Sequence, residues 1–150
     1  LSEIEDKVLK KRAKKRAMAL LQKRDYTEEK LRTKLKEGFY PGNIIDETIE
    51  YLRGYGYIDD KRLAERFLEY HGRDMTKSAI KMKLCRMGIK PDVTDEVLAD
   101  FGPSDEAKLI KKILDKRHYN GKEADEKEKI RTIRYLVSKG FSMNSIRKML

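Results

Sequence analysis

The chain has 150 residues, with 36 Lys and Arg against 26 Asp and Glu, and a formal net charge of +10. Charged residues make up 41% and hydrophobic ones 39%, which is polar for a folded domain but not a disorder signature. The longest apolar run, residues 17–21, falls far short of the ~20 residues of a membrane span. No apolar stretch follows the basic N-terminal residues as in a signal peptide. A single Cys excludes an internal disulfide and, with two His, is too few for an ordinary structural zinc site. A reduced, cytoplasmic protein with an anionic partner is expected.

Apolar periodicity is helical from end to end. Ser2 and Glu5 form a capping box, followed by Ile4, Val8, Ala13, Ala17, Leu20 and Leu21 as an apolar face. Thr27 caps a second helix with Leu31 and Leu35 inward and Gly38 as its stop. Asn43 caps a third, bearing Ile44, Ile45, Ile49 and Leu52 and ending at Gly54. Asp59 caps a helix with Leu63, Ala64, Phe67 and Leu68; Thr76 caps the next, with Ile80, Leu84 and Met87, stopped by Gly88. Pro91 opens a sixth helix holding Val93, Val97 and Leu98. Ser104 caps a seventh with Ala107, Ile110 and Leu114, and a polar loop runs from about His118 to Asp125. The last two helices carry Ile130, Ile133 and Val137, then Ile146, Met149 and Leu150, with Gly140 and a Ser142 cap between them. The expected fold is all-α: about nine helices and no sheet.

An internal repeat organises these helices. Helix-ending glycines at 38, 88 and 140 lie 50 and 52 residues apart, each followed by an apolar residue: Phe39, Ile89 and Phe141. The capping residues Thr27 and Thr76 recur at nearly the same interval. An elongated tandem array of three three-helix repeats is the better account, over residues 1–54 (with the basic first helix), 55–102 and 103–150. The alternative is one irregular helical bundle.

Charge is unevenly held, at net +4, zero and +6 over those three segments. In the middle one, the second helix has Lys77, Lys81, Lys83 and Arg86 and no acid, whereas the third has Asp92, Asp95 and Glu96 and no base. A basic residue directly follows an inward aliphatic of each second helix, at Arg32, Lys81 and Arg134; Lys34 and Lys83 follow two positions later in the first two. One step around a helix is about 100°, so these side chains flank the buried stripe. Stacked repeats would align them as a basic track for a long polyanion or an acidic groove; a solvated face with local ion pairs is the competing reading. The cluster Lys10, Lys11, Arg12, Lys14, Lys15 and Arg16 could grip phosphates, or merely solubilise an end.

Catalytic chemistry finds no constellation. His71 and His118 are isolated, Cys85 reads as a small buried or half-buried apolar residue, and no Gly-rich phosphate loop is present. Asp59 and Asp60 read as helix cap and dipole partner rather than a metal site. Tyr51, Tyr55 and Tyr57 could offer bases a stacking platform, but are expected to pack the joint between repeats. No catalytic residue, cofactor or metal is expected; the chain reads as a binder, not an enzyme.

The string GYIDDKRLAERF at 56–67 resembles the signature of the RecX family of bacterial regulatory proteins. ALLQKRDYTEEKLRTKL, SAIKMKLCRMGI and KEKIRTIRYLVSKGFSMNSI resemble its first, second and third repeats, so the likeness runs from about Ala17 onward. Leu63 stands where the family usually has Phe, and Lys77-Ser78 where a Gly-rich turn is common. The resemblance implies tandem three-helix repeats that bind the RecA recombinase along its filament on single-stranded DNA. It implies inhibition of recombinase, ATPase and coprotease activities in the setting of DNA repair, the SOS response and homologous recombination. Filament- or DNA-contacting roles are carried on that basis onto Arg32, Lys34, Lys81, Lys83, Arg86, Arg131 and Arg134, in a monomer with at most weak direct binding of DNA. A stand-alone basic DNA-binding module is the alternative, although no helix has the Arg/Asn/Gln cluster of base readout. A nuclease would need a metal site.

Overall fold

The computed structural model describes residues 2–101 and 105–150. Among these are nine helices and no strand: α1 (Glu3–Lys23), α2 (Glu28–Glu37), α3 (Gly42–Gly54), α4 (Asp60–His71), α5 (Lys77–Arg86), α6 (Pro91–Val97), α7 (Glu106–Lys116), α8 (Glu126–Ser138) and α9 (Met143–Met149). Most helices begin on a side-chain oxygen that accepts an otherwise orphaned N–H. Ser2, Thr27, Asp59, Thr76, Asp125 and Ser142 do so for α1, α2, α4, α5, α8 and α9. The expected Ser104 cap lies outside the described residues, and Asp105 caps α7 by accepting from the Lys108 N–H at 3.2 Å. Asn43 does not cap α3. Pro41 holds extended backbone there and its carbonyl already accepts from the Ile45 N–H at 3.0 Å, so the helix starts ahead of Asn43.

The helices pack in threes around three separate cores. Ala17, Leu20, Tyr26, Leu31, Leu35, Ile45, Ile49, Leu52 and Ile58 form the first. Ala64, Ile80, Leu84, Ile89 and Leu98 form the second, and Ile110, Leu114, Leu136, Phe141 and Ile146 the third. α1 outruns its unit: Ala13, Ala17 and Leu20 are buried under it, while Ile4 and Val8, expected inward, are exposed on its first turns. In α8 the inward face also differs from the expected stripe. Thr132 and Leu136 are buried, and Ile130 and Val137 are exposed. Thr132 tolerates burial because its hydroxyl donates to the Glu128 carbonyl at 2.8 Å, which conceals the buried face from a hydrophobicity pattern.

These turns fix the repeat register, one residue away from the glycine spacing in the first unit. Tyr40, Ile89 and Phe141 donate their N–H groups to the carbonyls of Leu35, Leu84 and Leu136, at 3.3, 3.1 and 3.2 Å. Each bond closes a Schellman turn around one left-handed residue. That residue is Gly88 (φ 87°) in the second unit and Gly140 (φ 90°) in the third, but Phe39 (φ 64°) in the first. Gly38 therefore precedes the position that Gly88 and Gly140 occupy.

The reason for glycine in two of three units is the neighbouring unit. A Cβ on Gly88 would lie 2.9 Å from Glu29 Oε2, and one on Gly140 would lie 3.0 Å from the Ala79 nitrogen and Thr76 Oγ1. Thus the C-terminal turn of each second helix abuts the N-terminal turn of the second helix before it. At the first joint the Thr27 hydroxyl donates to the Met87 carbonyl at 2.7 Å, so an orphaned acceptor of α5 is satisfied by the cap of α2. Asp60, at the start of α4, accepts from the Glu28 N–H at 3.0 Å. Arg66 and Asp25 pair at 3.0 Å across the same joint. The negative end of α5 meets the positive end of α2, the favourable order for two helix dipoles.

Candidate functional site

The expected contact residues fall in three settings. On α2, Arg32 bridges Asp46 Oδ1 at 2.6 Å and Glu28 Oε1 at 3.4 Å. Its guanidinium is held above the usual value, chiefly by the hydrogen bond to Asp46 and against the opposing effect of burial. Lys34 reaches Glu37 at 3.7 Å one turn along. On α5, Lys81 pairs with Asp95 Oδ1 of the acidic α6 at 3.6 Å, which ties the wholly basic helix to the wholly acidic one. Lys83 and Arg86 are exposed and make no ion pair among the described residues; they line a cleft of about 410 Å³ with Phe67, His71 and Met82 of their own unit and Lys139 of the next.

The third unit does not continue this pattern. Thr132 and Leu136 hold the places of Leu31 and Leu35, and of Ile80 and Leu84, so the positions equivalent to Arg32 and Lys81 fall on Ile133. Those equivalent to Lys34 and Lys83 fall on Tyr135. The expected alignment of Arg134 with Arg32 and Lys81 is therefore corrected: Arg134 is exposed on a different face of α8. Arg131 lines a separate cavity of about 270 Å³ with Arg117, Tyr119, Asp125 and Glu128. The Tyr119 hydroxyl is buried without a hydrogen-bond partner among the described residues, and burial is the main cause holding it above its ordinary pKa of 10.0. Composition gave no signal for this cavity, because its residues come from the C-cap of α7, the loop that follows and α8.

Further unpaired charge lies on α1. Lys7, Lys11, Arg12, Lys14, Lys15 and Arg16 of α1 make no ion pair among the described residues, while Lys10 is held by Glu47 at 3.0 Å. Lys14 stands over the ring of Tyr51, 4.1 Å from its centroid. From Tyr51 the rings continue outward: Tyr55 at 4.8 Å and then Tyr57, 6.1 Å from Tyr55 and stacked at 24°. All three are exposed and the joint is built by other residues, so they do not pack the repeats together as expected. Cys85 is also exposed, neither buried nor half-buried as expected. Among the described residues no three His, Cys, Asp or Glu side chains are grouped to hold a metal ion.

Two family models match: the first three-helix domain of RecX over residues 13–52 and its third three-helix domain over residues 104–150. The regulatory protein RecX of Clostridium acetobutylicum is 32% identical over 143 residues, 92% of this chain and 67% of that protein. The chain belongs to the RecX family. The regulatory protein RecX of Vibrio vulnificus is 29% identical, over 89% of this chain and 88% of its own length. A crystal structure of regulatory protein RecX superposes with a TM-score of 0.76 at 26% identity, covering 99% of this chain and 77% of that one. RecX from Lactobacillus salivarius, at 20% identity and a TM-score of 0.69, has the same fold. The chain spans about two thirds of the length of its clostridial RecX relatives. The two matched RecX domains fall on the α1–α3 and α7–α9 units, so the tandem array found in the cores is the RecX architecture. Among the described residues no helix is long and apolar enough to cross a membrane.

Proposed function

We propose that this RecX-family protein is a non-catalytic regulator that binds the RecA recombinase and its filament on single-stranded DNA, and inhibits recombinase, ATPase and coprotease activities. Family membership over nine tenths of the chain is the observation that carries this reading. The joint supports it, because Arg32 with Lys34, and Lys81 with Lys83, occupy equivalent positions on helices that meet end to end. An array with cations repeated along consecutive helices suits an extended acidic groove better than a small ligand. The pairs with Asp46, Glu37 and Asp95 are no obstacle, since exposed ion pairs are worth only about 0–1 kcal/mol and exchange partners readily.

The test is a titration of this protein into RecA hydrolysing ATP on single-stranded DNA. Suppression at substoichiometric amounts is expected; no suppression at low and moderate salt would overturn the reading. Lys81→Glu with Lys83→Glu should weaken the suppression by about an order of magnitude, through lost electrostatic attraction, with helical circular dichroism unchanged. Full inhibition by that double variant would remove α5 from the contact surface and leave the family-level reading standing.

A further inference from the structure

The cleft of about 410 Å³ at the joint between the second and third units has a chemistry that its cations alone do not explain. Gly140 has no side chain, and a Cβ there would lie 3.0 Å from the Ala79 nitrogen, so α8 can end against the first turn of α5. That approach brings Ser138 and Lys139 to the cleft. Ala79, Met82, Lys83 and Arg86 line it from α5, at spacings that put them on one stripe beside the buried Ile80 and Leu84. Phe67 and Met75 add apolar surface, both partly buried against the second core. Met82 is 44% exposed, and the core is already closed by Ile80 and Leu84, so core packing does not account for it. No acid lines the cleft, and Lys83, Arg86 and Lys139 make no ion pair among the described residues. Lys81, off this stripe, is held by Asp95.

We propose that this cleft docks an acidic protein segment with an apolar anchor, the anchor entering among Phe67, Met75 and Met82 while flanking carboxylates pair with Lys83, Arg86 and Lys139. Three cations that face no acid of their own complement a carboxylate-bearing partner. Thioethers are unbranched and polarizable, so Met75 and Met82 can mould themselves to an inserted side chain. The apolar lining favours a peptide over a nucleic acid. The Phe67 ring is half-buried against the second core and lies 4.6 Å from the His71 ring, which leaves little of either face for a base, and thioethers gain nothing from phosphates. A segment held there touches two units at once and so fixes the joint between them. The site shares Lys83 and Arg86 with the regulatory reading and rests on it to that extent, but its test needs no recombinase.

A fluorescein-labelled hexapeptide, Leu-Phe flanked on each side by two glutamates, would be titrated with the full chain and followed by anisotropy over a salt series. Saturable binding that weakens as salt rises is expected. A version with Ser-Ser at the centre should bind about tenfold more weakly, because the apolar surface of the anchor is gone. A version with glutamines for the glutamates should lose affinity and salt dependence together. Met82→Ser should weaken the first peptide by about fivefold with its salt dependence kept, whereas Lys83→Gln with Arg86→Gln should remove most of that dependence. The proposal is overturned if the first peptide does not bind, if the Ser-Ser version binds equally well, or if Met82→Ser binds undiminished with its helical circular dichroism intact. Binding of oligo-dT that Met82→Ser weakens as much as the peptide's would make the cleft a nucleic-acid site and overturn it equally. Failure of the peptide with RecA suppression intact overturns the cleft alone; peptide binding without suppression overturns the regulatory reading alone.

Discussion

Phe39 shows what a single backbone angle reveals about its surroundings. A bulky side chain at φ 64° is strained, and at 93% exposure this one recovers almost nothing by burial. Its counterparts Gly88 and Gly140 are needed for two reasons, left-handed backbone and the close approach of the preceding unit, and neither leaves room for a side chain. Phe39→Gly should therefore stabilise the protein by about 0.5–1 kcal/mol in urea denaturation, strain relief outweighing the extra freedom of the unfolded chain. Gly140→Ala should destabilise it by about 2 kcal/mol, because both the φ penalty and contact with the Ala79 backbone apply. An equal effect of the two substitutions would mean the joint does not impose the difference. This distinction was illegible in the sequence. Gly38 stands one residue before Phe39, and the 50-residue spacing to Gly88 looked like the repeat itself.

At the scale of elements, the caps were readable because each needs only one oxygen at a fixed offset, and most of the expected ones accept the expected N–H. What reading along the chain missed lies between elements. Asp60 follows the cap Asp59 and reads as a partner for its own helix dipole, yet its carboxylate accepts from Glu28, 32 residues earlier in sequence. Burial, more than its acidic neighbours, holds the Asp60 carboxyl above its ordinary 3.8. The native state thus binds a proton more tightly than the unfolded chain, so this group's contribution to stability falls as pH rises from 3.8 through the raised value. Asp60→Asn keeps the accepting oxygen and removes the charge. Its stability relative to the parent should rise between pH 3 and pH 6 in parallel denaturation curves. Asp60→Ala loses the bond as well and should lie about 1 kcal/mol below Asp60→Asn at every pH. The equivalent cation positions on α2 and α5 were legible because each lies at a fixed offset from a buried aliphatic, and the pattern failed on α8 because a hydroxyl-satisfied Thr132 stands where an aliphatic was sought.

Across the whole molecule, the three cores share no buried residue, and the units communicate through the joints at Thr27 and Thr76. Stability in such an array is close to a sum of unit terms and nearest-neighbour terms. The α1–α3 unit holds the largest of the three core clusters, whereas the third relies on fewer buried side chains. Leu136→Ala removes a fully buried side chain from the third core and should cost that unit about 2–4 kcal/mol. If the joints couple units only weakly, amide exchange in α7, α8 and α9 should accelerate by about 30- to 1,000-fold, the rate equivalent of that loss, while α1, α2 and α3 keep their protection. Uniform loss of protection would mean that the array unfolds as one cooperative body. The difference bears on the proposed function, because a chain whose units open separately can seat one three-helix unit against an extended partner before the next is ordered against it.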